Sequence, residues 1–466
     1  MSPRVAPRVA GWIATALNVR REELGALAAA FGMLFFMFSS YAMMRPVRET
    51  MGITGGFENL PYLFWGTFVA MLAVQPAYGW ITSRFRRTQS LPWVYLFFVL
   101  NILGFWIWFK LQADHTWIAR AYFVWLSVFN LFVVAVFWSL MADLFTREQA
   151  GRMFGAIAAG ASVGGLVGPL LARALVGPVG TINLLIVSMT LLLGAVAFMR
   201  VLIVWQQQAA SGETAPDIGR ERSEAGTAGT VDRELGGSPL AAFRQVIASR
   251  YLLTIAAFVF LLTWISTFVY LEQQKFVAQA FATPDARTEF FATVDAWVQG
   301  LALIGQFFLF GRLQQVLGFR VLLTAMPVIM TLGYAAIGML PVFGVVVGVM
   351  IVRRIGEYAI TRPCRDMLFT VVGREEKYKA KSLIDTFVYR GGDVVSASVH
   401  KMLAGLGIAT AGIGWAGAIV GIVWTAVALV LGRQFRAGGI AASREPMPRA
   451  RAEELPSIGF ARTERA

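Results

Sequence analysis

The chain has 466 residues, of which 57% are hydrophobic, 13% aromatic and only 15% charged, and its mean hydropathy is +0.63. That is too little polar surface to coat a soluble globule of 51.1 kDa, so composition excludes a water-soluble fold and indicates an integral membrane protein. The net charge of +14 would suit nucleic acid, but the cations fall mostly in short loops and tails, which is the pattern of a multi-pass membrane protein with no nucleic-acid partner.

Apolar runs near the length that crosses a bilayer, roughly 20 residues, recur at about 24–44, 60–82, 91–112, 117–141, 153–176, 181–204, 250–272, 290–310, 321–340, 343–366, 383–404 and 410–432. The expected fold is therefore all-α, with about twelve transmembrane helices in two six-helix halves. The basic N-terminus leads through Arg20 and Arg21 into a run long enough to span, so no cleavable signal is expected. Span one ends in Tyr41, Ala42, Arg45, Pro46, Arg48 and Glu49, with the two arginines three residues apart and therefore on one helical face. After span two, Gly79 to Arg87 forms a tight basic turn through Ser83, Arg84 and Arg86. Span five carries Gly155, Gly164, Gly168 and Pro169, small residues that predict close packing against a helix of the other half.

Between Gln206 and Gly237 hydrophobicity collapses, which predicts a flexible linker over 206–237 between an N-terminal half (1–205) and a C-terminal half (238–432). Ser238 and Pro239 then open a short amphipathic helix expected to lie on the inner membrane surface. Asp295 stands inside span eight, and Gly311, Arg312, Gly318, Phe319 and Arg320 faintly repeat the basic turn after it.

Span ten repeats the first motif as Tyr358, Ala359, Arg362, Pro363, Arg365 and Asp366, preceded by Arg353, Arg354 and Glu357. Span eleven is entered through the run from Arg374 to Lys381, which includes Lys379, and holds Asp385, Tyr389, Arg390 and Asp393. From 433 to 466 a basic tail is expected to touch anionic lipid.

Ionised groups inside a lipid-crossing element are costly, so they usually mark a solute path or a salt-bridge network that opens and closes one. Proline beside the arginines frees a backbone carbonyl and starts a half-helix whose amides favour an anion. The candidate contacts to a small anionic solute are Arg45, Arg48, Arg362, Arg365, Lys379, Lys381 and Arg390. The candidate gating or coupling carboxylates are Glu49, Asp295, Glu357, Asp366, Asp385 and Asp393. Spacing leaves Glu357 open to pairing with Arg353 or Arg354, and Asp366 with Arg362. Counting along the helices places Arg45 near the outer end of span one and Arg362 near the inner end of span ten, one copy of the motif at each mouth.

Collecting the basic even-numbered connections on one side puts both termini in the cytoplasm, and a bacterial inner membrane is the expected location. The single cysteine, Cys364, excludes an internal disulfide. No phosphate loop, paired metal-ligand histidines or nucleophile elbow occurs, and His115 and His400 stand apart, so neither an enzyme, a metal nor a cofactor is expected. A monomer is expected.

The Gly79–Arg87 turn resembles the loop motif of the major facilitator superfamily, with serine where an aspartate is usual, and the span-five glycines look like that superfamily's antiporter motif. Three blocks resemble the ATP:ADP antiporter family of non-mitochondrial nucleotide transporters: Tyr41 to Glu49; Phe137 and Trp138 through Glu148, Arg152 and Phe154; and Glu376 to Asp385 with Arg390 to Asp393. The resemblance implies exchange of nucleotides, with Arg48 and Lys379 or Lys381 as phosphate contacts. The family's exchangers carry an acid inside helix four, whereas 117–141 here has none. Two alternatives accompany this expectation. One is a proton-coupled exporter using Glu272, Asp295, Glu357 or Asp385, and the other a non-transporting scaffold or sensor.

Overall fold

The computed structural model describes residues 19–20, 23–84, 87–210, 239–373 and 380–444. Among the described residues twelve helices cross the molecule: α1 (Leu24–Thr54), α2 (Leu60–Arg84), α3 (Arg87–Leu111), α4 (Thr116–Leu144), α5 (Arg147–Val179), α6 (Leu184–Ala210), α7 (Arg250–Ala280), and α8 to α12. α8 starts as Pro284–Ile304, passes through a π-helical turn at Gly305–Leu309 and ends at Gly318. There a φ of +77°, open to glycine without a Cβ penalty, splits the stretch Phe310–Met339, and α9 follows. α10 joins Phe343–Gly356, a π turn at Glu357–Thr361 and Arg362–Leu368. α11 runs through a π turn at Ile384–Val388 into Tyr389–Gly405, and α12 is Thr410–Arg444.

Among the described residues nine helices are long and apolar enough to span lipid by themselves. The other three crossings, α8, α10 and α11, each contain a π turn. A π turn inserts one residue into the helical ladder and is common where side chains must be re-aimed for function.

Two cores form. One gathers apolar side chains of α1 and α3 to α6, around Met33, Phe129 and Phe137; the other gathers those of α7 and α9 to α12, around Phe258, Tyr334 and Trp424. Within the first, α5 packs on α1 almost backbone to backbone. A Cβ at Gly160 would sit 2.6 Å from the Phe31 carbonyl oxygen, one at Gly168 2.6 Å from that of Ser39, and one at Gly164 would collide with that of Phe35. The glycine stripe thus serves a contact inside its own half, not the expected contact across halves, and Gly155 touches nothing. Across the halves α5 offers Gly165, which lies under the Gln299 side chain of α8.

The chain enters α5 through a capping box of Thr146 and Gln149. Gln149 Nε2 and Arg152 Nη2 both bind the buried Glu23 carboxylate, at 2.9 and 3.2 Å, which ties the start of α5 to the start of α1. A short helix is present at Pro239–Ala248, and its Phe243 ring packs edge-on against Phe387 of α11 at 4.9 Å. Most of the linker and most of the tail fall outside the described residues, as do positions 85 and 86 of the basic turn and the 374–379 run with Lys379.

Candidate functional site

Calling the end of each helix odd or even by the connection it meets, the halves are fastened together at the odd face. Glu49 of α1 accepts hydrogen bonds from Tyr270 Oη (2.6 Å) and Gln274 Nε2 (2.7 Å) of α7. The hydroxyls of Thr50 (α1) and Thr288 (α8) are 2.7 Å apart. Thr181, between α5 and α6, donates both its amide and its hydroxyl to Asp285 Oδ1 at 2.7 Å. Trp65 of α2 donates to Ser398 of α11 at 3.2 Å.

Behind this seal lie two spaces that share lining residues, the smaller of them mainly polar. The smaller, about 280 Å³, is lined by Arg45 and Arg48 of α1, Ser127 and Asn130 of α4, Ser266 and Tyr270 of α7, Arg353, Arg354 and Tyr358 of α10, and Tyr389, Arg390 and Asp393 of α11, with Glu49 at its odd edge. The larger, about 830 Å³, shares Tyr41, Arg45, Asn130 and Tyr358 with it. It continues toward the even face between Trp138, Ser162, Gln299, Gln306, Arg362 and Asp366.

Both tyrosines and one arginine of the repeated motif therefore meet at the junction of the two spaces, and Arg45 and Arg362 line one cavity rather than opposite mouths. The expectation of one copy at each mouth fails because α1 runs on to Thr54, well past the apolar run that ends near residue 44, so Arg45 lies inside the helix.

The charges pair mostly between helices. Asp295 of α8, 2% exposed, meets Arg354 Nη1 at 2.5 Å and Arg45 Nε at 3.7 Å, which makes a triad that bridges the halves. Arg48 binds its neighbour Glu49 at 2.9 Å, donates to the Phe123 carbonyl at 3.3 Å and lies 3.8 Å over the Phe123 ring. Arg353 donates to Ser266 at 2.8 Å. Arg390 reaches Asp393 at 3.4 Å, and Asp393 also accepts from Thr267 at 3.2 Å. The remaining candidates sit at the even end of the α10–α11 seam and line neither space apart from Arg362 and Asp366. Arg365 faces Asp385 at 3.7 Å, and Lys381 binds Asp366 at 2.6 Å.

Two expected pairings are replaced. Arg354 takes Asp295 and Arg353 takes Ser266, not Glu357, whose Oε2 has no hydrogen-bond partner. Asp366 takes Lys381 rather than Arg362. Same-helix pairs contribute only about 0.2–0.5 kcal/mol, so a carboxylate or cation from the facing helix, in lower dielectric, easily displaces them.

Arg353 and Arg354 were not among the expected solute contacts, yet both line the smaller space. The tandem arginines in an otherwise apolar stretch, with a carboxylate for only one of them, were the available signal. Tyr270 and the Gln273–Gln274 pair, polar residues in the last third of α7, gave another.

The smaller space presents five arginines against two carboxylates, Glu49 and Asp393. Even with Asp295 counted beneath it the cations lead by two. Arg353 Nε and Arg354 Nη2 are buried there without a partner. Buried donors normally have partners, so these two nitrogens are exceptions.

The model of the Major Facilitator Superfamily matches residues 27–397. Several solved transporters share the fold at low identity. The POT family transporter PepTSo is 13% identical over 88% of this chain and 98% of its own, with a TM-score of 0.60. A bacterial homologue of the iron transporter ferroportin in an inward-facing state is 13% identical over 89% and 98%, at 0.57. A POT family transporter in complex with 5-aminolevulinic acid is 12% identical over 88% and 96%, at 0.56. No curated protein sequence matches the chain. With the family model spanning most of its length and a polar cavity between two six-helix halves, the chain belongs to the Major Facilitator Superfamily and is a membrane transporter.

Proposed function

We propose that the chain carries a small organic anion, of nucleotide or other phosphate-bearing chemistry, by alternating access, exchanging one such anion for another. The observation that carries this reading is the surplus of arginine lining the smaller space, two of whose guanidinium nitrogens, Arg353 Nε and Arg354 Nη2, have no hydrogen-bond partner. Guanidinium forks match phosphate and carboxylate oxygens in pairs. Arg45, Arg48, Arg353, Arg354 and Arg390 bind the anion, while Tyr41, Tyr358 and Tyr389 offer flat faces for a planar group. The ATP:ADP antiporter resemblance supports the phosphate class. The even face is read as cytoplasmic and the membrane as a bacterial inner membrane, which makes this conformation open inward; the carrier works as a monomer.

The test is a thermal-shift screen of purified protein against nucleotides, inorganic phosphate and carboxylates. A ligand at 100 times its dissociation constant stabilises by about 2.7 kcal/mol. A nucleotide or phosphate should raise the melting temperature, Arg48→Ala and Arg353→Ala should abolish that rise, and Arg365→Ala, at the α10–α11 seam, should keep it. A rise that survives in both cavity variants, or none with any anion, removes the proposal.

A further inference from the structure

One furrow takes no part in the anion path. It lies within the N-terminal half between α2 and α4, holds about 720 Å³ and shares no lining residue with either anion space. Its walls run from Tyr62 to Ala70 on α2 and from Trp117 to Val128 on α4, lengths of about 12 and 17 Å by the rise of a helix. That is the depth of one leaflet, about 15 Å, half of the hydrocarbon core. The two helices meet beside Val124 of the lining, where a Cβ on Gly66 would lie 3.3 Å from its Cγ2.

The furrow changes character along its length. Asn59, Tyr62 and Arg120 line its odd end, and Leu63, Val124, Ala70 and Val128 follow toward the middle of the membrane. Tyr62 and Trp117, 60% and 70% exposed, flank the odd end, and amphipathic rings of this kind gather at the level of lipid headgroups. The Arg120 guanidinium stands 4.6 Å from the centre of the Trp117 ring, and its Nε donates to the Gly55 carbonyl at 2.8 Å. Those contacts fix the group, while its Nη nitrogens make no hydrogen bond or ion pair among the described residues. Lys401 of α11 sits 3.8 Å over the Tyr62 ring, a second cation without a carboxylate partner. Glu58 and Asp114, in the adjoining turns, pair with neither cation, and Asp114 accepts instead from the amide and hydroxyl of Thr116.

We propose that this furrow binds one anionic glycerophospholipid of the odd-face leaflet, with an acyl chain between α2 and α4 and the phosphate on Arg120. An apolar trough one leaflet deep suits an acyl chain, whose burial is the driving term. A guanidinium fixed at the headgroup level suits phosphate oxygens, which its fork meets in pairs. Lys401 adds positive charge at the same level, so a headgroup of net negative charge is preferred to a zwitterionic one. The site is separate from the solute cavity and does not depend on what the carrier moves.

The test uses the delipidated full chain. Native mass spectrometry with equal phosphatidylglycerol and phosphatidylcholine of the same acyl chains reads the headgroup preference. A phosphatidylglycerol with a diazirine in its chain, photolysed and mapped by peptide, reads the place. Phosphatidylglycerol should be retained in preference, with adducts on residues 62–70 and 117–128. Arg120→Gln should cut the preference roughly fivefold, the weight of one interfacial cation. Ala121→Trp should remove the adducts by filling the furrow, and because Ala121 is an exposed wall residue it tests the site even where Arg120→Gln disturbs folding. Arg287→Gln, at an odd-face arginine that likewise donates to a turn carbonyl, should change neither reading.

Equal retention of the two lipids, adducts spread evenly over the lipid-facing helices, or adducts that persist in Ala121→Trp overturn the proposal. Adducts confined to peptides of the anion cavity overturn it too, because the lipid would then be held elsewhere. Soluble glycerol phosphate in excess should leave the retained lipid in place; displacement would assign Arg120 to a free phosphate and overturn the lipid site.

Discussion

Asp295 holds two arginines from opposite halves, Arg45 at 3.7 Å and Arg354 at 2.5 Å, with its side chain only 3% exposed. Its Oδ2 has no hydrogen bond beyond that longer contact. Removing one partner of a buried ion pair typically costs about 3–5 kcal/mol because the other charge is left stranded, whereas replacing the group by apolar residues of similar volume is often neutral. Asp295→Asn should therefore lower thermal stability by that order, and Asp295→Leu combined with Arg354→Met should recover most of it while abolishing anion binding. Melting curves with and without ligand separate the two effects. Little of this was legible in sequence. The charges themselves stood out against the apolar runs, and Arg45, Arg48, Arg390, Glu49 and Asp393 do converge on one space. Their partners did not stand out, because α1, α8 and α10 meet only after folding and an i, i+4 rule sees no other helix.

At the scale of the element, all twelve spans were readable, and the π turns inside three of them were not. Backbone groups in hydrocarbon must be satisfied within their own helix, so an uninterrupted apolar run of bilayer length predicts its structure almost alone. α8, α10 and α11 carry charges and π turns, and the turns of α8 and α10 place Gln306 and Tyr358 in the cavity lining. Glycine spacing in α5 announced a close helix contact but not the partner, since α1 and α8 flank it on different faces. The difference can be measured. Gly164→Ala pushes a Cβ into the Phe35 carbonyl and should destabilise by about 1–3 kcal/mol, the usual cost of overpacking. Gly155→Ala meets nothing and should be neutral or stabilising by up to about 1 kcal/mol, the gain from replacing glycine inside a helix. Equal effects at the two positions in detergent melting experiments would contradict the α1–α5 packing.

For the whole molecule, the distribution of contacts implies a movement. Thr50 with Thr288, Thr181 with Asp285, and Glu49 with Tyr270 and Gln274 all join the halves at the odd face, while the larger space lies on the even side of Arg45. Water can replace these polar contacts at small net cost, about 0.5–1.5 kcal/mol for a typical hydrogen bond, while the apolar contact of Ile53 with Val277 and Phe291 beside them adds a burial term to the seal. Each half keeps its own large apolar core, and two small apolar clusters, Leu60, Leu63 and Phe123 with Leu271 and Ala397, and Ile53 with Val277 and Phe291, join them and must part if the halves rock as units. Thr50→Cys with Thr288→Cys, in a Cys364→Ala background, places two sulfurs where hydroxyls now lie 2.7 Å apart, within reach of a disulfide. Oxidation should lock the odd face shut. Protein in liposomes should then bind the anion found by thermal shift yet fail to exchange it across the membrane, and reduction should restore exchange. Unimpaired exchange by fully cross-linked protein would mean that the anion crosses without parting α1 from α8, and alternating access about this seal would be wrong.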